Sequence, residues 1–284
     1  MRQFILEKNP DKKGIIVLGG KDYRYLHQVL RVRAGDMVSV RLPDGSLKNS
    51  TVAKIDDNQR KITLQLCADT GLDIDSKDSS SGTTTTRGVQ ASEIEHSVEV
   101  GVEYWLMQFI PKPQKLEQIV RQATECGVKR IVPVIGEYSE KSSVNILQGA
   151  KKERISRIIK EARQQSGSPV DTVVEEPLTL EKAVDLWRQA GNDSAEDEAV
   201  GFVLSERNDG DGNIRKILAG KKEIKRICIV CGCEGGISPQ EVDYLVKKGL
   251  FYPIHFSVNI LRCETAALYG IAAVQSTFSI KDDV

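Results

Sequence analysis

The sequence predicts an α/β protein whose larger part is a mainly parallel sheet, preceded by a small β-barrel with a helical insertion. Three observations carry this reading. From Val100 onward, apolar runs of strand length alternate with segments whose apolar residues recur at helical spacing. Residues 1 to 67 instead read as a succession of short strands separated by turn signals such as Asp44-Gly45 and Asp57-Asn58. Between them, residues 68 to 98 fill with Asp, Ser, Thr and Gly, including the run from Ser79 to Thr86. Such a composition cannot bury enough apolar surface to offset its ordering entropy. The chain is therefore expected to comprise a barrel (1–67), an acidic Ser/Thr-rich linker (68–98) and an α/β domain (99–284).

In the first segment, strands are expected at Gln3 to Leu6, Gly14 to Leu18, Met37 to Arg41, Ser50 to Asp56 and Lys61 to Cys67. A helix from Lys21 to Val32, with Tyr25, Val29 and Val32 on one side, interrupts them. In the second, strands are expected at Val100 to Phe109, Arg130 to Ile135, Val170 to Val174 and Ala199 to Leu204. Helices are expected at Gln114 to Glu125, with Leu116, Ile119, Val120 and Ala123 inward, at Lys151 to Gln165 and at Leu180 to Gln189. The helix at 151 to 165 sets Ile155, Ile158, Ile159 and Ala162 on one face and is otherwise strongly basic. Ile227 to Val230 forms a buried strand, followed by Gly232, Gly235 and Gly236 around Glu234. Ser238 then caps a helix with Pro239 at its first position and Glu241 completing a capping box, and Gly249 ends it. A strand from Phe251 to Val258 leads through Asn259 to Thr265 into a small-residue helix from Ala266 to Gln275.

Formal charge over the 284 residues is zero but unevenly spread: residues 1 to 67 hold 13 Lys/Arg against 7 Asp/Glu, and residues 68 to 99 hold 2 against 7. A basic module beside an acidic connector suits a polyanion partner, although surface charge also serves solubility alone. No apolar run reaches membrane-spanning length and no signal-peptide core is present, so a cytoplasmic protein is expected. Six cysteines lie mostly within apolar patterns and read as structural thiols. Cys228 and Cys231 are three apart in a strand, which points them to opposite faces, so no metal is expected there.

The Gly232-x-Glu234-Gly235-Gly236 loop lacks the spacing of a dinucleotide fingerprint, and no Gly-Lys-Ser/Thr accompanies it. Alone it reads better as a tight strand-to-helix turn. Together with Ile260-Leu261-Arg262-x-Glu264-Thr265-Ala266 one short helix later, it resembles the ribosomal-RNA uridine-N3 methyltransferases of the RsmE type, within the SPOUT class. His27 to Asp36, with Arg31, Arg33 and the Gly35-Asp36 turn, resembles the PUA-like amino-terminal domain of the same family. The resemblance implies a parallel sheet with a C-terminal trefoil knot, S-adenosylmethionine as cofactor, a homodimer, and small-subunit ribosomal RNA or the assembled subunit as partner.

The same resemblance assigns cofactor binding to Leu204, Gly232, Glu234, Gly235, Gly236, Ile260, Leu261, Thr265 and Ala266, and RNA binding to Arg31, Arg33, Lys141 and Gln165. Arg262 is the expected catalytic residue. A uridine N3–H is a poor nucleophile toward a sulfonium, and a guanidinium beside a uracil carbonyl stabilises the anion. Glu264 is expected to fix that arginine or to accept the proton; read without the family, the pair fits a structural salt bridge at a helix start. Arg31 and Arg33 likewise fit either phosphate contact or a solvated helix end. The chain departs from the family at Gly167-Ser168-Pro169, where an arginine is expected, at Lys141 in place of arginine, and at Gln122 and Cys126. These departures leave open an RNA-binding protein with weakened catalysis, or a transfer-RNA methyltransferase, as alternatives.

Overall fold

A computed structural model describes residues 3–67, 101–145, 147, 152–190, 199–205, 213–221, 224–257 and 259–279. The chain divides into two units, Met1–Ser97 and Val98–Val284, and the expected linker lies outside the described residues.

In the first unit, β1 (Phe4–Ile5), β2 (Ile15–Gly19), β3 (Met37–Arg41), β4 (Leu47–Asp56) and β5 (Lys61–Leu66) form one sheet in the order β1-β3-β4-β5-β2. Only the β1 and β3 pair is parallel, and a bulge between Val52 and Lys54 bends β4. Inward residues Phe4, Ile16, Val38, Val40, Val52, Ile62 and Leu64 make its core. The expected helix from Lys21 to Val32 is shorter and of two kinds. An α-turn, α1 (Gly20–Tyr23), runs into a π-helical segment, Arg24–Val29, which drives Tyr23 and Leu26 into the core. The segment stops because Arg31 takes the left-handed conformation at φ 57°, unusual for a residue with a Cβ.

The second unit alternates strand and helix: β6 (Glu103–Phe109), α2 (Pro113–Glu125), β7 (Arg130–Ile135), α3 (Lys141–Val144), α4 (Lys152–Ser166), β8 (Val173–Val174), β9 (Leu178–Thr179), α5 (Leu180–Gln189), β10 (Ala199–Leu204), α6 (Ile214–Ala219), β11 (Arg226–Cys231), α7 (Pro239–Lys247), β12 (Phe251–Ile254) and α8 (Cys263–Ser279). Every strand pair in its sheet is parallel, in the order β12-β10-β11-β6-β7-β8, with β9 also on β7. Such a sheet needs cover on both faces, and the period-two alternation of the strands supplies two cores. Leu106, Phe202, Ile227, Ile229 and Cys231 meet Leu116, Ile119 and Val120 of α2, Ile155 and Ile158 of α4, and Ala267 and Ile271 of α8. Trp105, Met107, Phe109, Cys228 and Val230 meet Ala183, Val184 and Trp187 of α5 and Leu245 of α7.

Cys228 and Cys231 accordingly sit in different cores, all six cysteines are free, and burial raises the pKa of both thiols. Among the described residues no cluster of His, Cys, Asp and Glu is placed to hold a metal ion, and no helix is long and apolar enough to cross a membrane.

The strand expected over Phe251 to Val258 ends at Ile254. Its partner β10 ends opposite it at Leu204, and Val258 lies outside the described residues. The last helix begins three residues earlier than expected, at Cys263; the basic helix is described from Lys152, its expected first residue Lys151 lying outside the described residues.

Candidate active site at two strand ends

The cleft is built at the carboxyl ends of β10, β11 and β12, the position where parallel sheets present loops to ligands. Gly232 leaves β11 and the chain doubles back at once: Gly236 N–H donates to Cys233 O at 3.0 Å. That reversal requires glycine at its base. A Cβ on Gly232 would lie 2.7 Å from the Gly236 carbonyl carbon. Two neighbours fix the loop from outside. The Gln108 side-chain amide on β6 donates to Gly232 O at 2.9 Å, and the Cys233 thiol donates to Tyr138 O at 3.0 Å from the turn after β7. Glu241 completes the support: one oxygen accepts from Ser238 N–H at 2.9 Å, closing its arm of the capping box, and the other from Glu137 N–H at 2.8 Å.

The second loop leaves β12. Ser205 N–H donates to Ile254 O at 3.0 Å and His255 Nδ1 lies 3.2 Å from Ser205 O, which ties the ends of β10 and β12 together. The chain then turns at Arg262, whose carbonyl accepts from Thr265 and Ala266 N–H at 2.9 and 2.7 Å and starts α8.

These two loops enclose a cleft of about 740 Å³, within the size range of small-molecule sites. Of the residues singled out in the sequence, Leu204, Gly232, Glu234, Gly235, Gly236, Ile260, Leu261, Arg262 and Ala266 line it. Thr265 and Glu264 do not: Thr265 is exposed and bonded within its own turn, and Glu264 is buried. Elsewhere in the same unit Lys141 opens α3 and Gln165 lies near the end of α4, both exposed and outside the cleft lining. Arg31 and Arg33 are exposed on the first unit, where the Arg33 N–H donates to Asp36 at 2.7 Å in the expected turn.

Glu264 is not paired with Arg262. Its carboxylate meets Lys115 Nζ at 3.2 Å and accepts from the Cys263 thiol at 3.4 Å. Burial pushes the Glu264 pKa up, but its own backbone N–H, the Lys115 ammonium and the Cys263 thiol outweigh that and hold it below the usual carboxylate range. Cys263 is pushed up to about 12, first by burial and then by Glu264. A carboxylate engaged by the Lys115 ammonium and the Cys263 thiol and lying outside the cleft lining suits holding the turn better than taking a proton from a ligand. Arg262 is exposed at the cleft, and among the described residues its side chain has no ion-pair partner.

Lys115, Tyr138 and His255 line the cleft as well and were not anticipated. Lys115 carried a readable signal, a cation in the first turn of a helix with no acidic residue beside it. Tyr138 and His255 carried none, because only the fold brings the turn after β7 and the end of β12 to the glycine loop.

The model of a family described as RNA methyltransferase domain matches residues 98–275. The ribosomal RNA small subunit methyltransferase E of Rickettsia conorii is 29% identical over 170 residues, 58% of this chain and 61% of that protein. The ribosomal RNA small subunit methyltransferase E 2 of Borreliella burgdorferi is 26% identical over 279 residues, 96% of each. The chain thus spans less than two thirds of the first relative and nearly all of the second. The crystal structure of a ribosomal RNA small subunit methyltransferase E from Neisseria gonorrhoeae, bound to S-adenosyl methionine, superposes with a TM-score of 0.69 over 96% of both chains at 22% identity, a likeness of fold. With the match covering more than half of its length and both glycine-loop and Arg262 turns inside it, the chain belongs to the RNA methyltransferase domain family.

Proposed function

We propose that this protein transfers a methyl group from S-adenosylmethionine to N3 of a uridine in small-subunit ribosomal RNA. The observation that carries the reading is the convergence of two separate loops, Gly232–Gly236 and Ile260–Ala266, on one cleft of about 740 Å³. The residues present fit the cofactor. Closely packed glycine backbone offers amides and carbonyls to a nucleoside, Leu204, Leu261 and Ala266 supply apolar surface for adenine, and Glu234 places a carboxylate at the rim. When bound, the cofactor supplies an electrophilic methyl group on a sulfonium.

The chain's own part is to orient and to stabilise charge. Arg262, unpaired among the described residues and facing the cleft, stabilises the negative charge that spreads onto a uracil oxygen as the N3 proton passes to solvent water. Glu264 is assigned to holding that turn through Lys115. The family resemblance extends the proposal further. The first unit is read as a PUA-like RNA-binding module, with Arg31 and Arg33 at phosphates. The second is read as a SPOUT domain with a trefoil knot, supported by β12 lying across β10 from β11 before α8 returns to β11 and α2. A cytoplasmic homodimer is proposed on the same basis, with Ile260 and Tyr269, exposed apolar residues at 83% and 42%, as candidate contacts to be tested by sedimentation.

The deciding experiment compares nucleoside profiles of ribosomal RNA from cells with and without the gene. Loss of 3-methyluridine from small-subunit RNA is expected. An unchanged profile, with intact RNA binding by the purified protein, would favour a binding protein that has lost its chemistry; a change confined to transfer RNA would move the substrate.

A further inference from the structure

Lys115 stands where its own helix disfavours it. It is the third residue of α2, in the turn where the helix dipole favours negative charge, and no residue of that turn is acidic. Its ammonium instead meets two carboxylates from different loops, Glu264 at 3.2 Å and Glu234 at 3.8 Å. Glu234 is further bound to the start of α2 by Lys112 N–H, at 3.2 and 3.3 Å to its two oxygens. The side chains are partly withdrawn from water, with 26% of Lys115, 29% of Glu234 and 11% of Glu264 exposed, so screening is weaker than for a surface pair.

We propose that Lys115 is a positioning residue that ties the Gly232–Gly236 loop and the Arg262–Thr265 turn to the start of α2 and, by occupying Glu264, leaves Arg262 free for substrate. Without the lysine, both carboxylates lose a cation. Glu264 then has Arg262 two residues away in the same turn, and a pair formed there neutralises the group needed at the cleft. That the two loops serve one cofactor rests on the methyltransferase reading; the tie between them does not.

The test uses the full chain without ligand first. Backbone amide exchange is followed at Gly236, Thr265 and Ala266, each hydrogen-bonded within its own loop. Lys115→Met should speed exchange in both loops by about five- to tenfold, and Lys115→Arg should restore it. On a Glu264→Gln background, Lys115→Met should add little at Thr265 and Ala266, since one interaction has already been removed. Unchanged exchange, a change in one loop only, or faster exchange throughout with a lower melting temperature overturns the tie.

The second readout is S-adenosylmethionine titration with single-turnover methylation. Lys115→Met should lose more in turnover than in cofactor affinity, and adding Glu264→Gln should recover part of the turnover. A double variant no better than Lys115→Met overturns the shielding of Arg262. Failure of the parent protein to bind the cofactor sinks the functional reading, while the exchange result stands or falls separately.

Discussion

Gly232→Ala puts a methyl group into backbone rather than into a side chain that can swing aside. The new Cβ would lie 2.7 Å from the Gly236 carbonyl carbon and 2.9 Å from its Cα and oxygen, well inside the 3.4 Å at which ordinary contact begins. Relief requires the Cys233 and Gly236 reversal to open by about half an ångström or more, and overpacking of this kind costs about 1 to 3 kcal/mol. If that cost falls on the closed, ligand-binding loop, S-adenosylmethionine binding weakens by about 5- to 150-fold.

Two neighbours serve as controls. Gly236→Ala meets nothing within 4 Å, so only its left-handed backbone at φ 77° opposes the change, at about 1 to 2 kcal/mol. Gly235→Ala would press 2.8 Å from the Cβ of Tyr138, so the turn after β7 must shift to admit it, while the loop's own backbone is not struck. Titration calorimetry on the full chain, with a melting curve for each variant, should rank Gly232→Ala as the most damaging to affinity. Parent affinity and parent melting temperature in Gly232→Ala would refute the loop geometry, and a larger loss at Gly236 would show that conformation, not close approach, is what the loop requires.

Arg262→Lys keeps the charge and loses the planar fork, so single-turnover rate should fall about a hundredfold with cofactor affinity nearly intact, and should recover partly at higher pH where more uridine is ionised. Equal turnover in the variant would remove Arg262 from the chemistry. The Glu264 and Lys115 pair has a defined pH window. The Glu264 carboxyl is held below its ordinary 4.5, so its stabilisation is present above that value and lost as pH falls through the lowered pKa. Burial alone would lower the Lys115 pKa, but Glu264, Cys263 and Glu234 raise it above its ordinary 10.5, so its share is full below 10.5 and lost as pH rises through the raised pKa. The melting-temperature gap between parent and Glu264→Gln should therefore stay level between those values and narrow beyond either; a gap that grows on acidification contradicts the pairing. Arg31→Ala with Arg33→Ala should weaken RNA binding and flatten its salt dependence without altering cofactor affinity, and an unchanged salt slope would return both to solvated surface.

Much of the α/β unit was legible because its strands are buried on both faces and read as continuous apolar runs closed by turn residues. Arg130–Ile135, Leu180–Gln189 and Ala199–Leu204 fall where periodicity puts them, as does Met37–Arg41 in the first unit. What failed depended on partners. The strand expected over Val170 to Val174 is formed only at β8, where it pairs with β7, and β9 exists through pairing to β7, with no local pattern at Leu178 and Thr179 to announce it. The π-helical turn from Arg24 to Val29 keeps an apolar side toward the core while widening the helix, so counting at 3.6 residues carried it too far. The two loops were visible as motifs, and nine of the eleven residues assigned to cofactor or chemistry line one cleft. The partner of Glu264 was not visible: nothing local distinguishes Arg262, two residues away, from Lys115, which the fold brings in from α2, packed beside α8 on the same face of the sheet.

The strand order of the second unit also bears on when the protein acquires its site. β10 lies between β11 and β12, so Leu204 at its tip is flanked by loops made later, and the last wall is laid down only with Ala266 at the opening of α8. A nascent chain still lacking that turn holds the glycine loop but no enclosed cleft, and α8 must then find β11 and α2, with Gln275 reaching Cys126 O at 2.8 Å, long after both were synthesised. The cleft is therefore complete only once the opening of α8 has been made, and a shortened product ending before α8 would carry the first unit with no enclosed cleft beside the glycine loop.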